Sequence, residues 1–200
     1  APDFSSITCG SAIKILNKPS GYRVHSHDIK WGSGSGQQSV TANSNADDTN
    51  SLWFIRPTQG NVCWQGTAVK FGDKIRLQHH NTRRNLHSHS FQSPISGQQE
   101  VSCFGDNGDG DSGDDWEVVP TDASKFGQSW GRDDSFRLRH VVTRAYLSTN
   151  KRHNFNQQNC GQQCPIAGQL EVACSGHSNA DTEWYVGEGV FFPVEESEKQ

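Results

Sequence analysis

Two histidine pairs with the spacing His-Ser-His are the residues of this chain that most readily suggest chemistry. They are His25 and His27 in the first pair, and His87 and His89 in the second. Residues two apart on a β-strand face the same side, about 7 Å from each other, so each pair could ligate zinc or copper. The corresponding third stretch, 147–150, reads LSTN, and Asp28 after the first pair becomes Ser90 after the second. A metal site, hydrogen bonding at strand ends and ligand recognition all stay open, and we predict neither a metal nor a cofactor.

Glutamines and arginines close to these histidines extend the candidate binding surface. The phrase GQQ contributes Gln37, Gln38, Gln98 and Gln99. Arg83 and Arg84 belong to a predicted turn, HHNTRRN, where guanidinium groups could bind carboxylate or phosphate, or could simply be solvated. If the four histidines recognise a partner, replacing them with alanine should weaken binding and leave the melting temperature nearly unchanged.

An acidic, glycine-rich stretch, 106–117, invites a comparison with calcium loops. An EF-hand loop needs glycine at its sixth position, where this stretch has Asp111, and only Glu117 at the twelfth position fits. A flexible acidic loop is therefore the interpretation that we favour. The chain also contains no phosphate-binding P-loop, and we predict that it is not an enzyme.

The chain has six cysteines, a content that indicates an oxidising compartment. Cys9 and Cys63 flank the first of three repeats, and a disulfide between them would staple that repeat. Cys160 and Cys164 lie close together in an insertion and could close a small loop. The remaining two, Cys103 and Cys174, occupy equivalent repeat positions, and we expect both to be buried free thiols.

Three copies of one unit make up the chain. Each copy has two recurring apolar residues in segments where apolar and polar residues alternate. A GQ-rich block that leads to a valine follows, and a tryptophan closes the copy. The apolar pairs are Ile15 and Val24, Leu77 and Leu86, and Leu138 and Leu147; the valines are Val40, Val101 and Val172; the tryptophans are Trp53, Trp116 and Trp184. Alternation and turn residues predict about four short strands for each copy.

Three equivalent β units can share a single core when they close around an axis. We therefore predict an all-β chain folded as a β-trefoil of three repeats with pseudo-threefold symmetry. Its expected limits are an N-terminal tail 1–7, a domain 8–193 with repeats about 8–62, 63–122 and 123–193, and a C-terminal tail 194–200. The closing tryptophans should be buried, whereas Trp31, Trp64 and Trp130 fall in predicted loops and are the candidates for exposed, sugar-stacking rings.

The phrases HSHD, GSGSGQQSVT, SPISGQQEVS and EGVFFP resemble the MIR module, and most closely the stromal cell-derived factor 2 family. The likeness covers about Thr8 to Pro193. MIR modules also occur in protein O-mannosyltransferases, inositol trisphosphate receptors and ryanodine receptors. The resemblance implies a β-trefoil in the lumen of the endoplasmic reticulum and a non-enzymatic role beside a J-domain co-chaperone and an Hsp70-type chaperone.

The resemblance also implies unfolded or O-mannosylated client proteins, and it leaves open an alternative in which the chain is a mannose-recognising module. The chain ends in EESEKQ where the family usually has an HDEL-like retrieval signal, so we expect either a removed tail or indirect retention. Its start, APDF, is expected from processing, such as removal of a signal peptide, or from a cut at a designed boundary. A net charge of −4 argues against nucleic acid as a partner. The sequence contains no run of 18 apolar residues, so we do not expect the chain to insert into a membrane.

Overall fold

The fold consists almost entirely of short antiparallel strands, which confirms the predicted all-β class. The structure is a computed structural model and describes residues 1–195. Within them lie twelve strands: β1 Ala12–Asn17, β2 Arg23–Lys30, β3 Gln38–Asn43, β4 Trp53–Pro57, β5 Lys74–His79, β6 Asn85–Gln92, β7 Gln99–Phe104, β8 Trp116–Pro120, β9 Phe136–His140, β10 Tyr146–Asn154, β11 Leu170–Ser175 and β12 Trp184–Val190. One short helix, α1, spans Gln157–Cys160, and 3-10 helices span Thr49–Ser51, Ser112–Asp114, Ala123–Lys125 and Ala180–Thr182.

Six of the strands form a closed barrel. β1 pairs with β4, β4 with β5, β5 with β8, β8 with β9, β9 with β12, and β12 returns to β1. The other six form three hairpins, β2–β3, β6–β7 and β10–β11. Strands β3, β7 and β11 each pair with the other two, so the hairpins join one another.

The apolar positions that recur in the sequence fill the barrel. Their side chains are fully buried, and they include Ile15, Leu77, Leu138, Val24, Leu86 and Leu147. The closing tryptophans are also fully buried, which confirms the prediction for them. Each indole N–H donates at 2.9 Å to a backbone carbonyl: Trp53 to Val24, Trp116 to Leu86 and Trp184 to Leu147. The same indole-to-carbonyl hydrogen bond thus anchors the closing tryptophan of each repeat.

Two of the three tryptophans that we expected in exposed loops are buried, so this expectation was wrong for Trp31 and Trp130. Trp130 belongs to the main core and packs edge-on against Phe136, with ring centroids 4.8 Å apart. Trp31 packs with Phe155 and Ile166 in a second cluster, and its indole N–H donates to the carbonyl of Val101 at 3.0 Å. The loop pattern of the sequence concealed both positions, because Trp31 contacts Val101 and the backbone of Trp130 pairs with Ile7 and Val69, which are distant along the chain.

The cysteines pair as predicted. Cys9 is bonded to Cys63 and Cys160 to Cys164, while Cys103 and Cys174 are free and buried. Burial raises the pKa of both free thiols to about 12, so they stay protonated and unreactive at neutral pH.

The ends of the chain differ from the limits drawn on the sequence. Ile7 was placed in the N-terminal tail, but it is fully buried and donates its backbone N–H to the carbonyl of Trp130 at 2.8 Å. Near the other end, the backbone N–H of Val194 donates to the carbonyl of Asp3, and that of Glu195 to Gly66. The predicted tail 194–200 otherwise lies outside the described residues.

Candidate functional site

The first histidine pair is built into the interior rather than onto the surface. His25 is 4% exposed, and its Nδ1 hydrogen-bonds the carboxylate of Asp48, the residue that caps the 3-10 helix Thr49–Ser51. Its Nε2 shares a 2.6 Å hydrogen bond with Nδ1 of His27. Burial opposes ionisation of Asp48, but hydrogen bonds from Ser51 and His25 outweigh it and lower the pKa of the carboxyl. Burial, and then repulsion by His25, lowers the pKa of His27.

The second pair repeats the bond between its first histidine and an acid, but here the second histidine bonds an acid as well. Nδ1 of His87 donates to Asp114 at 2.8 Å, and Nε2 of His89 hydrogen-bonds Glu100. Asp114 is fully buried, and its other oxygen accepts from the side chain of Asn85 and from the backbone of Asp111. In both pairs an acid near the next tryptophan reaches back to the histidine, so this geometry favours the interpretation as structural hydrogen bonding.

One group of side chains in the described residues has the composition of a cation site. His87, Asp111 and Asp114 bring one ligand atom each within 4.8 Å of the others. Their atoms already make hydrogen bonds within the group, because Asp114 accepts a hydrogen bond from His87 and Asp111 accepts one from the backbone N–H of Gly113 at 2.8 Å. The group has the arrangement of a capping network that closes the 3-10 helix Ser112–Asp114.

The recurring glutamines tie neighbouring repeats together. The amide of Gln38 donates to the hydroxyl groups of Ser26 at 2.7 Å and Thr82 at 3.0 Å. Gln99 makes the equivalent pair of bonds, both at 2.8 Å, to Ser88 and Thr143. Each glutamine therefore joins its own hairpin to the turn of the next repeat. Gln37 accepts from Ser102 at 2.7 Å, and Gln98 lies exposed beside Ser96.

The two arginines have separate environments. Arg83 has a left-handed backbone with φ 65°, and its guanidinium lies over the ring of Phe54, 5.0 Å from the centroid. Arg84 donates to Gln38 at 2.7 Å and forms a longer, exposed ion pair with Asp28 at 3.3 Å. Arg84 thus faces the same space as Gln38, whereas Arg83 belongs to the outside of the turn.

Two carboxylates that the sequence analysis did not single out hold hairpin turns. Glu171 is 2% exposed and accepts from the hydroxyl of Ser93 and from the backbone N–H of Ser96, in the β6–β7 turn. Glu100 accepts from the backbone N–H of Ser35, in the β2–β3 turn, besides its bond to His89. The signal was present in the sequence, since both acids directly follow the GQ-rich phrase.

Side-chain N–H groups hold the acidic stretch 106–117 in place by donating hydrogen bonds to one of its backbone carbonyls. The carbonyl of Gly108 accepts from the side chains of Gln59 at 2.7 Å, Asn85 at 3.0 Å and Arg76. A carbonyl that is surrounded by N–H donors does not face a calcium ion, which takes oxygen ligands only.

A cavity of about 690 Å³, named the first cavity here, lies between repeats one and two. Its lining combines the basic side chains of Lys30 and Arg84 with the acidic ones of Asp106 and Asp109, beside Gln38. A second cavity of about 580 Å³ lies between repeats three and one, and is lined by Tyr22, Lys151, Phe155 and Leu170 among others.

The most exposed large apolar side chains lie in one short loop, 61–66, named the tryptophan loop here. Val62 is 75% and Trp64 is 78% exposed, and Cys63 between them is bonded to Cys9. The carbonyl of Trp64 accepts the backbone N–H of Thr67 at 3.0 Å, and the N–H of Gly66 donates to Cys9. The loop is therefore fixed at its base while it presents two apolar side chains to solvent.

Comparison with known proteins extends over nearly the whole chain. The family profile described as "MIR domain" matches residues 21–184. A stromal cell-derived factor 2-like protein from Dictyostelium discoideum is 45% identical over 191 residues, which cover 94% of this chain and 85% of that protein. Within residues 1–195, no helix is both long and apolar enough to cross a membrane.

Solved structures give similar matches. The crystal structure of the SDF2-like protein from Arabidopsis thaliana superposes with a TM-score of 0.86 at 43% identity, covering 96% of this chain and 99% of that one. The S. cerevisiae protein O-mannosyltransferase Pmt1-Pmt2 complex, solved with the sugar donor bound, matches with a TM-score of 0.78 at 28% identity. That match covers 99% of this chain and 29% of the transferase chain.

Proposed function

Because the chain belongs to the stromal cell-derived factor 2 family of MIR-domain proteins, we propose that it assists the chaperone machinery of the endoplasmic reticulum lumen by binding proteins. The similarity to stromal cell-derived factor 2-like proteins extends over almost the full length of the chain, and the MIR profile matches residues 21–184. Two disulfides within the described residues are in keeping with an oxidising, secretory compartment.

The architecture that we infer for this function is a β-trefoil with pseudo-threefold symmetry. The support is the closed ring of six strands, the three hairpins that join one another, and the tryptophan-to-carbonyl bond that recurs in each repeat. A closed barrel leaves few free strand edges, so partners would bind through loops and cavities rather than by adding a strand.

The tryptophan loop is the surface that we propose for protein binding. A Trp side chain that is 78% exposed keeps a large apolar area in water unless a partner covers it. Tryptophan is also enriched among the residues that dominate binding energy at protein interfaces. Since the Cys9–Cys63 disulfide already fixes the loop, binding would cost little conformational entropy.

The partners that we propose are a lumenal J-domain co-chaperone, an Hsp70-type chaperone, and unfolded or O-mannosylated clients. The single observation that carries this proposal is the family membership, and the exposed Val62 and Trp64 supply the contact. The candidate histidines are less suited to a direct contact, because His25 and His87 are each 4% exposed.

A crosslinked pull-down from endoplasmic reticulum lumen, read by mass spectrometry, tests the proposal. The wild-type protein should recover the J-domain protein and the Hsp70-type chaperone, and an added mannose competitor should not change the yield. A Val62→Ser/Trp64→Ser variant should lose most of this recovery. The matched control is Val142→Ser/Phe126→Ser, since these side chains are 58% and 49% exposed elsewhere on the surface. Recovery of O-mannosylated proteins alone, abolished by mannose, would favour the mannose-recognising alternative instead.

A further inference from the structure

We propose that the second cavity, between repeats three and one, is a saccharide-binding site that takes one pyranose ring on the side chain of Tyr22. The two cavities occupy equivalent positions in the fold, so their linings can be compared residue by residue. Lys30 pairs with Gln38 across one hairpin as Asn154 pairs with Leu170 across another. Tyr22 precedes β2 as Arg84 precedes β6.

A polar bridge crosses the first cavity. Arg84 donates to Gln38 at 2.7 Å, and Gln38 in turn donates to Thr82 at 3.0 Å. At the equivalent positions the second cavity has Tyr22 and Leu170, whose side chains cannot make this bridge. The second cavity is thus left open, and an aromatic ring and a leucine form its walls.

The floor of the second cavity is apolar. Leu170 is 2% exposed and Phe155 is 4% exposed, whereas Tyr22 is half-buried and packs against the main core. A partly exposed phenol ring that is held by the core offers a fixed apolar face. Such a face suits the C–H side of a pyranose, which is the apolar side of a sugar.

The rim carries polar groups with free hydrogen-bonding capacity. The Tyr22 hydroxyl, the Lys151 ammonium and the Gln157 amide make no hydrogen bond to any residue in the described range 1–195. Lys151 Nζ lies 5.9 Å from the centroid of the Tyr22 ring. An amide both donates and accepts and an ammonium donates, so together these groups suit the hydroxyl edge of a sugar.

Charge and size narrow the ligand class. The lining contains the lysine, amides and apolar groups but no carboxylate, so it does not suit a cationic ligand. The volume of about 580 Å³ lies within the range of roughly 300–1,000 Å³ for small-molecule sites. The site therefore fits a saccharide without a cationic group.

Nuclear magnetic resonance titration of the purified, ¹⁵N-labelled protein tests the proposal. The probes are methyl α-mannoside and methyl N-acetyl-β-glucosaminide, each added to about 20 mM. We expect at least one of them to shift the backbone amide signals of Tyr22, Gly168 and Leu170, with a Kd of about 1–10 mM, a usual affinity for so small a ligand. Shifts elsewhere, or no shift with either probe, would overturn the proposal.

Variants separate the site from a general effect on folding. The double substitution Tyr22→Arg/Leu170→Gln rebuilds the polar bridge of the first cavity in the second, where the hydroxyls of Ser20 and Thr149 stand at the positions of Thr82 and Ser26. It should keep the fold and weaken binding at least about tenfold. Gln157→Ala should weaken binding about threefold, whereas Gln92→Ala, at the position equivalent to Asn154 in repeat two, should leave it unchanged. Binding that survives the double substitution and disappears with Trp64→Ala would place the sugar on the tryptophan loop and overturn the proposal.

The source of the saccharide is distinguished with a mannosyl-threonine peptide and its unglycosylated counterpart. Tighter binding of the glycopeptide than of methyl α-mannoside, with shifts at the same amides, assigns the site to protein-linked sugar. Equal affinities assign it to free sugar, and equal binding of the bare peptide would contradict saccharide recognition. The test uses no chaperone, so its outcome is independent of the proposed function.

Discussion

Buried histidine–acid pairs join neighbouring elements of the fold at the residue scale. His25 with Asp48 and His87 with Asp114 fasten strand ends to the 3-10 helices that precede the closing tryptophans. The histidines could be found from the sequence, but their acids could not, because they lie more than 20 positions away. The one hint was an Asp shortly before each closing tryptophan: Asp48, Asp114 and Asp181.

Replacing His87 with alanine should destabilise the protein, in contrast to the expectation drawn from the sequence. The substitution leaves the fully buried Asp114 without its ring partner, which costs about 2–3 kcal/mol of unfolding free energy. Urea denaturation measures the loss, with Ser90→Ala as an exposed control. If the unfolding midpoint is unchanged and partner binding is weaker, the role of this histidine is ligand recognition and not structural hydrogen bonding.

The pH dependence of stability should come partly from His79. Burial lowers its pKa to about 4, from 6.5 in the unfolded chain, while its Nε2 contacts the carbonyl of Asn50 at 2.9 Å. Above pH 6.5 the ring is neutral in both states; as the pH falls towards 4, only the unfolded chain takes up the proton. The free energy of unfolding should therefore fall by roughly 3 kcal/mol over this interval.

The first repeat supplies a matched variant for this test. Asn17 stands at the position of His79 and donates to the carbonyl of Asp181 at 2.9 Å. His79→Asn should thus keep the fold, and its unfolding free energy should decline less steeply between pH 6.5 and 4. Identical slopes for the variant and the wild type would contradict the assignment to His79.

At the scale of elements, hairpin turns are fixed by carboxylates from neighbouring strands. Glu171 on β11 holds the β6–β7 turn, and Glu100 on β7 holds the β2–β3 turn. Strand alternation and turn residues predicted short strands separated by turns, because both are local signals. The contacts between hairpins could not be predicted, since they depend on how the three repeats meet.

Replacing Glu171 with glutamine should loosen the turn that it holds. The carboxylate accepts from the backbone N–H of Ser96 and the hydroxyl of Ser93, and an amide replaces one acceptor with a donor. We expect a loss of about 2 kcal/mol and faster hydrogen exchange at residues 93–96. Ser39→Ala, at the equivalent position in β3, removes one hydrogen bond, to Ile29, and should cost about 1 kcal/mol. Unchanged exchange at this turn in the Glu171 variant would contradict the role.

The two disulfides should contribute unequally. Cys9–Cys63 spans 54 positions and Cys160–Cys164 spans 4, so the chain-entropy relation assigns about 4 and about 2 kcal/mol to them. Denaturation of the Cys9→Ser/Cys63→Ser and Cys160→Ser/Cys164→Ser variants measures both. The second variant should also increase the exposure of Trp31, because both of its cysteines pack against that cluster. An equal loss in the two variants would contradict the entropic account.

At the scale of the whole molecule, a closed barrel with three joined hairpins leaves function to its loops and cavities. Strand alternation predicted the all-β class, and the internal repeats predicted a shared core, because each repeat has too little core of its own. The repeats could not predict where they diverge, and both surfaces that we propose for binding lie at such places: the tryptophan loop between repeats one and two, and Tyr22 and Leu170 between repeats three and one. Trp31 and Trp130 were misplaced for the same reason, since they contact segments outside their own repeat.

The central claim, that the chain binds a lumenal co-chaperone through the tryptophan loop, is tested most directly by the affinity of two purified proteins. Calorimetric titration of the wild type against the J-domain co-chaperone should give a measurable Kd that about 20 mM methyl α-mannoside does not change. Val62→Ser/Trp64→Ser should weaken binding at least about tenfold, equivalent to 1.4 kcal/mol, and Val142→Ser/Phe126→Ser should not. No binding by the wild type, or equal binding by both variants, would contradict the account.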